Sequence, residues 1–257
     1  MSSEAGYDHP ELAELYDQIP LYNSRADIAF YVDLCRQAGE ALELGCGSGR
    51  VLIPAAQAGC AVTGIDQSHY MLARCRAKAA ALPDHTRDRI TLIEADITRF
   101  QLSRTFQLAI APFRPIQHLT SVDEQLSFLR CVRGHLAPGG RLVFDVFNPN
   151  LALIAAPVAP EEIEDTPEFS LPDGRRLRRT YRIVRKRHAE QCSDCELIYH
   201  LDGRRIVHSF PMRYFFRFEL EHLLARAGFE VTALYGGLDR SPFTDDSREM
   251  IFTATRL

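Results

Sequence analysis

The chain has 257 residues, a formal net charge of −4 and 25% charged residues. This size and composition are typical of one large α/β domain, or of a domain with an insertion, and the charge offers no basic excess to attract nucleic acid. No apolar run approaches the ~20 residues of a membrane helix, and the polar, acidic stretch 1–20 is unlike a secretion signal. Seven cysteines, an odd number scattered through apolar segments, predict a reducing cytoplasm.

Residues 1–38 predict a helical N-terminal cap. Leu12, Leu15, Tyr16 and Ile19 fall at helical spacing, as do the apolar residues of 28–34. Pro20 separates the two segments, because proline breaks a helix interior.

Residues 41–50, ALELGCGSGR, run from an apolar strand through Glu43 into a turn with glycines at every second position: Gly45, Gly47 and Gly49. A helix is predicted over 50–58. Glycines allow positive φ and let a ligand approach the backbone, and a strand–glycine turn–helix order is typical of nucleotide sites in open α/β sheets. The spacing differs from the G-x-G-x-x-G of dinucleotide proteins, which favours a ligand without a pyrophosphate.

Acidic residues end the next two predicted strands. The apolar run 60–65 ends in Asp66, and the run 90–95 ends in Asp96 and Ile97. Asp66 is placed to accept hydrogen bonds from both hydroxyls of a ribose. Asp96 and Ile97 can hold an adenine amino group and one face of its ring, although Asp96 could instead cap a following turn.

Strands and helices continue to alternate as far as residue 147. A strand over 106–111 ends in Pro112 and Phe113, a helix over 122–136 is closed by Pro138, and a fifth strand covers 142–146. A second helix, begun by Ser68, lies between the second and third strands. This alternation predicts a parallel sheet with right-handed crossovers.

The pattern changes at Asn148. Residues 150–171 are rich in proline and lack periodicity, which predicts a surface excursion. Three strands are then predicted over 177–187, 196–201 and 204–216, with a hairpin turn at Asp202-Gly203. This antiparallel unit needs a surface to pack on, so we expect it to lean over the carboxyl edge of the main sheet. A helix over 219–227 and strands over 229–235 and 249–255 complete the chain.

In the order and content of these motifs, the chain resembles the class I S-adenosylmethionine-dependent methyltransferases. ELGCGSGR is similar to the family's first motif, GIDQSHYML to its second, EADITRF to its third and FQLAIAPF to its fourth. HLAPGGRLVFDVF is similar to its late helix–turn–strand signature. Within the family, the chain looks most like small-molecule methyltransferases with a β-rich insertion. The resemblance implies a seven-stranded Rossmann-like sheet whose last strand is antiparallel and lies between the fifth and sixth.

The resemblance implies S-adenosylmethionine as cofactor and S-adenosylhomocysteine as product. It divides the chain into a cap (1–38), a cofactor domain (39–149 and 217–257) and an insertion (150–216) that forms a lid of the acceptor pocket. Arg25 is expected to meet the methionine carboxylate by a charge-assisted bond. The predicted cofactor-binding residues are Tyr16, Tyr22, Arg25, Glu43, Gly45, Cys46, Gly47, Gly49, Asp66, Gln67, Met71, Ala95, Asp96, Ile97, Pro112 and Phe113.

The methyl group is expected to point at the segment after the fourth strand. His118 is the candidate general base there, since its usual pKa lies near neutrality; the alternatives are a pocket wall or a structural histidine. The predicted acceptor-binding residues are Arg114, Gln117, Phe147, Asn148, Tyr214, Phe216 and Arg240.

Two further patterns leave alternatives open. His188, Cys192, Cys195 and His200 include metal-competent types, but they lie at a predicted turn, and we expect no metal. Residues 175–187 carry eight basic side chains, which indicates either a solvated strand protecting a sheet edge or a site for RNA or an acidic acceptor. The sequence therefore predicts N- or O-methylation of a small molecule by a monomer or homodimer, with no nucleic acid partner. An RNA or protein methyltransferase and a non-catalytic cofactor-binding subunit are the alternatives.

Overall fold

The computed structural model describes residues 9–257; residues 1–8 of the predicted cap lie outside the described residues. The helices are α1 (Pro10–Tyr16), α2 (Pro20–Asn23), α3 (Asp27–Ala38), α4 (Leu52–Gln57), α5 (His69–Ala80), α6 (Asp84–Arg87), α7 (Val122–His135), α8 (Leu151–Ala155) and α9 (Arg217–Arg226). The strands are β1 (Glu40–Leu44), β2 (Ala61–Asp66), β3 (Ile90–Glu94), β4 (Phe106–Ala111), β5 (Leu136–Phe147), β6 (Ile163–Ser170), β7 (Arg176–Arg187), β8 (Cys192–Leu201), β9 (Arg204–Arg213), β10 (Phe229–Tyr235) and β11 (Glu249–Arg256).

The main sheet has seven strands in the order β10-β11-β5-β4-β1-β2-β3. Strands β1 to β5 are parallel to one another, whereas β11 is antiparallel to both β5 and β10. The predicted Rossmann-like sheet, with its last strand between the fifth and sixth, is therefore confirmed. Successive residues of β4 alternate between two apolar clusters, Ala109 and Ala111 on one face and Leu108 and Ile110 on the other. Helices cover both faces, as the continuous apolar strands predict.

Strands β6 to β9 form a second, antiparallel sheet. Its hairpin turns at Asp202 and Gly203, whose φ angles of 47° and 79° suit a turn that needs two left-handed residues. The second sheet shares a buried cluster with the N-terminal helices, in which Leu177 and Tyr199 pack against Leu15 and Tyr22. The insertion and the cap therefore stabilise each other above the main sheet.

The segment 150–171 lies largely on the surface, as predicted, but it is not irregular, because it contains α8 and β6. The Asn150 side chain accepts a hydrogen bond from the Leu153 amide and starts the helix. Strand β6 has two register shifts against β7 and contains Pro167, which is tolerated because β6 is an edge strand. Bulges and proline removed the alternation by which a strand is recognised in sequence.

Two strand boundaries and the position of one strand in its sheet also differ from prediction. Strand β5 begins at Leu136, directly after α7, so Pro138-Gly139-Gly140 lies within the strand rather than closing the helix. Strand β8 begins at Cys192, so Cys195 lies in a strand and not in a turn. The basic strand β7 is flanked by β6 and β8 and is not a sheet edge. Within 9–257, no helix combines the length and apolar character that crossing a membrane requires.

Candidate active site

The glycine turn after β1 is closed by backbone bonds and left-handed residues. The amides of Gly45 and Cys46 both donate to the Ile65 carbonyl, at 2.8 and 3.0 Å. Gly49 has a φ of 85°, and a Cβ placed there would lie 2.6 Å from Cys75 Sγ on α5. Both the backbone conformation and the close packing therefore require glycine at this position.

Asp66, at the end of β2, binds the same turn. Its Oδ2 accepts from the Gly47 amide at 2.8 Å, and its Oδ1 accepts from the Ser68 amide at 2.9 Å. Burial raises the pKa of this carboxyl, and hydrogen bonds from the backbone amides of Ser68, Gly47 and Gln67 oppose that change. The structure thus brings the predicted ribose acceptor against the glycine turn, and its contact with a ribose stays a prediction.

Asp96 lies beyond β3, on the same sheet edge as Asp66, because β2 and β3 are parallel neighbours. Its Oδ1 accepts from both the amide and the hydroxyl of Thr98, at 2.8 and 2.7 Å. The capping contact considered from the sequence is therefore present, while contact with adenine stays a prediction. Met71 is buried on α5, with its methyl 3.1 Å from where a Gly47 Cβ would stand.

The remaining residues predicted to flank adenine have mixed exposure. Gln67 is exposed. Ala95 and Ile97 are partly buried against the main apolar cluster, and the Ala95 amide donates to the Asp66 carbonyl at 3.0 Å. Their contacts with adenine stay predictions.

Glu43, on β1, is a buried acid with an unused oxygen. It is 2% exposed, and within residues 9–257 no hydrogen-bond partner reaches its Oε2. Burial raises its pKa to about 8, although the Arg50 guanidinium acts in the opposite direction. A buried acceptor without a donor costs free energy, so the position suits a ligand that brings an N–H or ammonium group.

The N-terminal cap places aromatic rings over this region. The rings of Tyr16 and Tyr22 are 4.7 Å apart, and Tyr22 meets Phe113 edge-on at 5.1 Å. Arg50 makes two hydrogen bonds to Asp27, at 2.8 and 2.7 Å, and its Cζ lies 4.8 Å from the centre of the Phe113 ring. The structure therefore brings the predicted residues Tyr16, Tyr22 and Phe113 together. Their contact with a cofactor stays a prediction.

Asp17, which the sequence analysis missed, fastens the cap to the glycine turn. It accepts hydrogen bonds from Ser48 Oγ in the turn, and from Arg74 Nε and Lys78 Nζ on α5 at 2.8 and 2.9 Å. These partners are 31 to 61 residues away along the chain. No local pattern could have identified them, because ion pairs between distant helices leave no periodicity.

The segment after β4, residues 112–118, is termed the acceptor loop. Its Phe113 and Arg114 both have left-handed backbones, with φ angles of 63° and 71°. Arg114 is 6% exposed; it pairs with Glu249, and its Cζ lies 3.6 Å from the centre of the Phe147 ring. Because its guanidinium is used inside the protein, the structure does not favour its predicted contact with an acceptor.

Gln117 is also used internally. It is 1% exposed; its Nε2 donates to the Arg213 carbonyl on β9 at 2.7 Å, and its Oε1 accepts from the Phe147 amide at 3.0 Å. The amide of Gln117 thus joins the acceptor loop to both sheets. A contact with an acceptor stays a prediction that this arrangement does not favour.

His118 is exposed to solvent but surrounded by protein on several sides. Its ring donates to the Pro211 carbonyl on β9, and desolvation lowers its pKa below the usual value. The Phe210 ring lies 5.4 Å from the His118 ring and 5.0 Å from that of His208. A ring that donates from one nitrogen keeps a lone pair on the other, which is the state a general base requires.

The other predicted acceptor contacts lie in different surroundings. Phe147 is 41% exposed at the tip of β5, and Asn148 donates to the Ser247 carbonyl at 2.7 Å. Tyr214 and Phe216 meet edge-on, with centroids 6.0 Å apart, just before α9. Arg240 pairs with Asp33 on α3 at 2.9 Å, so its charge is balanced there.

The basic strand is neutralised by acids. Its ion pairs are Arg175–Asp173, Arg176–Glu168, Arg178–Glu164, Arg179–Asp165, Arg182–Glu196 and Arg187–Asp194. Lys186 donates to the carbonyls of Leu153 and Ala156 and so holds α8 against β7. The strand therefore presents no continuous unpaired positive surface for RNA. In the part of the chain that the structure describes, no three metal-ligating side chains cluster.

Comparison with known proteins agrees with this geometry. Residues 41–140 match the family described as the methyltransferase domain. The cypemycin N-terminal methyltransferase of a Streptomyces species is 26% identical over 100% of both chains.

Solved structures share the whole fold. The CcbJ methyltransferase from Streptomyces caelestis has a TM-score of 0.78 at 24% identity, covering 99% of this chain and 100% of that one. The amino pentose methyltransferase CalS10 from Micromonospora echinaspora, solved with S-adenosylmethionine, has a TM-score of 0.71 at 24% identity, covering 95% and 97% of the two chains.

Proposed function

Since the chain belongs to the class I S-adenosylmethionine-dependent methyltransferases, we propose that it transfers a methyl group to an amine nitrogen of a small molecule. The observation that carries this proposal is the environment of His118. Its ring is open to solvent at the end of the acceptor loop and is oriented by the Pro211 carbonyl.

The residues at the carboxyl edge fit the cofactor. The glycine turn offers a backbone surface without side chains, Asp66 stands beside it, and the unused Glu43 oxygen suits a methionine ammonium. When bound, S-adenosylmethionine supplies an electrophilic methyl group and a neutral leaving group. The chain's own contribution is to orient the acceptor, and orientation can contribute as much as ~7–11 kcal/mol to a bimolecular reaction.

His118 suits the remaining chemical task, the removal of a proton. An alkyl ammonium has a pKa near that of lysine, about 10, and must lose its proton before the nitrogen can attack. Because desolvation lowers the pKa of His118, its imidazole is neutral at pH 7 and can accept that proton. The bond to Pro211 directs the other ring nitrogen toward this role.

The names of relatives support nitrogen rather than oxygen as the acceptor atom. The full-length relative is named for methylation of a peptide N-terminus, and CalS10 for methylation of an amino sugar. Both acceptors are amines. A peptide N-terminus is therefore the second candidate, supported by a match that spans both chains completely. The paired acids along the basic strand argue against RNA, and the matches to methyltransferases favour catalysis over a non-catalytic subunit.

The test is methyl transfer by the purified chain to a panel of acceptors, read as S-adenosylhomocysteine formation. The panel contains nucleotide-linked amino sugars, free amino sugars and short peptides with free N-termini. Each amine is matched with its N-acetyl and hydroxyl analogues. We expect methylation of an amino sugar and none of its matched analogues. Transfer only to hydroxyl analogues would refute the choice of nitrogen, and transfer only to peptides would favour the second candidate.

A further inference from the structure

The acceptor loop has a costly backbone that other residues must hold. Phe113 and Arg114 are consecutive non-glycine residues with positive φ. A left-handed backbone is unfavourable for residues with a side chain, and such strain persists only where the surroundings enforce it. The residues that enforce it here therefore determine where the loop and His118 lie.

Two carboxylates, one buried and one partly buried, hold these positions. Asp145, on β5, is fully buried, and its Oδ1 accepts from the Phe113 amide at 2.9 Å and from the Tyr31 hydroxyl at 2.7 Å. Glu249, at the start of β11, accepts from the Arg114 guanidinium. Asp145 thus fixes the loop backbone at Phe113 and also lies 3.8 Å from Arg114 Nε, while Glu249 accepts from the end of the Arg114 guanidinium.

The same Glu249 oxygen also binds the N-terminal cap. Its Oε1 accepts from Arg25 Nη2 at 2.6 Å, while Arg25 Nε lies 3.2 Å from Asp27 Oδ2 at the start of α3. Arg25 belongs to the N-terminal cap and Arg114 to the acceptor loop, and both guanidinium groups donate to the same Glu249 oxygen. A movement of either arginine changes the charge that the other one faces.

We propose that Glu249 is a positioning residue that couples the N-terminal cap to the acceptor loop. It acts through Arg114 and the left-handed segment, not by touching the reacting atoms. A change in the position of Arg25 when cofactor binds is thereby transmitted to the loop that carries His118. The inference rests on the proposed function in one respect, namely that the acceptor loop faces the methyl acceptor.

The test compares wild type with Glu249→Gln, which keeps the shape of the side chain and removes its charge. Hydrogen–deuterium exchange of peptides covering 112–118 is measured with and without S-adenosylmethionine. In wild type we expect the cofactor to slow exchange in this segment. In Glu249→Gln we expect faster exchange and no further slowing by the cofactor. With an acceptor from the panel above, kcat falls by about 10- to 100-fold, as misplacement of a reacting group predicts, while KM changes less.

Glu221→Gln is the matched control, because it removes a Glu–Arg pair on the outer surface of α9. It should leave exchange and turnover unchanged. Arg25→Gln is the second variant; it removes the cap's donor and leaves that of the loop. Because Arg25 is also a predicted cofactor contact, exchange is compared at cofactor concentrations that calorimetry shows to saturate the variant, and the effect of cofactor on the loop should still be lost. If Glu249→Gln does not fold, Arg25→Gln decides alone.

Retention of the cofactor effect in either folded variant would overturn the inference. Failure of the proposed function gives a different result, since wild type would then methylate no amine while the exchange data keep their pattern.

Discussion

Replacement of Gly49 by alanine tests the physical basis of the glycine turn. The left-handed backbone alone makes alanine unfavourable by about 1–2 kcal/mol. The added methyl would also lie 2.6 Å from Cys75 Sγ and 3.1 Å from Ile53. Forcing an extra methyl into a packed region costs a further ~1–3 kcal/mol. We therefore expect Gly49→Ala to lower the free energy of unfolding by about 2–5 kcal/mol.

Gly59→Ala is the matched control, because Gly59 also has a positive φ, 96°, but no atom within 4 Å of the added methyl. It should show only the conformational cost. Urea denaturation with unchanged slopes gives both values. In a double-mutant cycle, Cys75→Ala should recover part of the loss in Gly49→Ala, with a coupling of at least about 0.5 kcal/mol. Equal losses at the two glycines, or no coupling, would refute the packing argument.

Three further predictions concern the carboxylates and His118. Asp66→Ala should abolish measurable binding of S-adenosylmethionine by calorimetry while the fold is retained, whereas Glu94→Ala on the neighbouring strand should bind normally; unchanged affinity in Asp66→Ala would exclude the ribose contact. Glu43→Gln should stabilise the cofactor-free protein more at pH 8 than at pH 5, by as much as about 4 kcal/mol. The pKa of Glu43 is raised to about 8 in the folded protein, so wild type loses stability as the pH rises above the pKa that Glu43 has in the unfolded chain. An equal gain at both pH values would contradict this. His118→Gln should lower kcat by about 10²-fold or more and remove the acidic limb of the pH–rate profile, which wild type shows below pH 6.5 because the His118 pKa is lowered; an unchanged profile would assign the base elsewhere.

Short sequence patterns were enough to predict that the glycine turn and Asp66 lie together. The glycine turn and Asp66 follow apolar strands directly, and parallel strands bring their carboxyl ends to one edge. The order of residues alone therefore fixes their proximity, given the alternation of strands and helices. The same argument holds for the hairpin at Asp202-Gly203, where two adjacent residues specify the turn.

The acceptor side depends on contacts that no local pattern contains. Glu249 and Arg114 are 135 residues apart, and Gln117 reaches Arg213 across 96 residues. Gln117 was predicted to contact the acceptor because it follows β4. Only the position of β9 reveals that its side-chain amide instead binds the Arg213 carbonyl. Strand β6 escaped prediction because its register shifts disrupt the period of two.

Gln117 and His118 bind two outward carbonyls of β9, those of Arg213 and Pro211. Strand β9 is an edge strand of the second sheet, and these two side chains occupy backbone acceptors along its edge. They thereby protect the edge from pairing with strands of other chains. For protein engineers the consequence is practical. Segments 112–118 and 204–213 should be exchanged together in a chimera, because side chains of the first segment bind the backbone of the second.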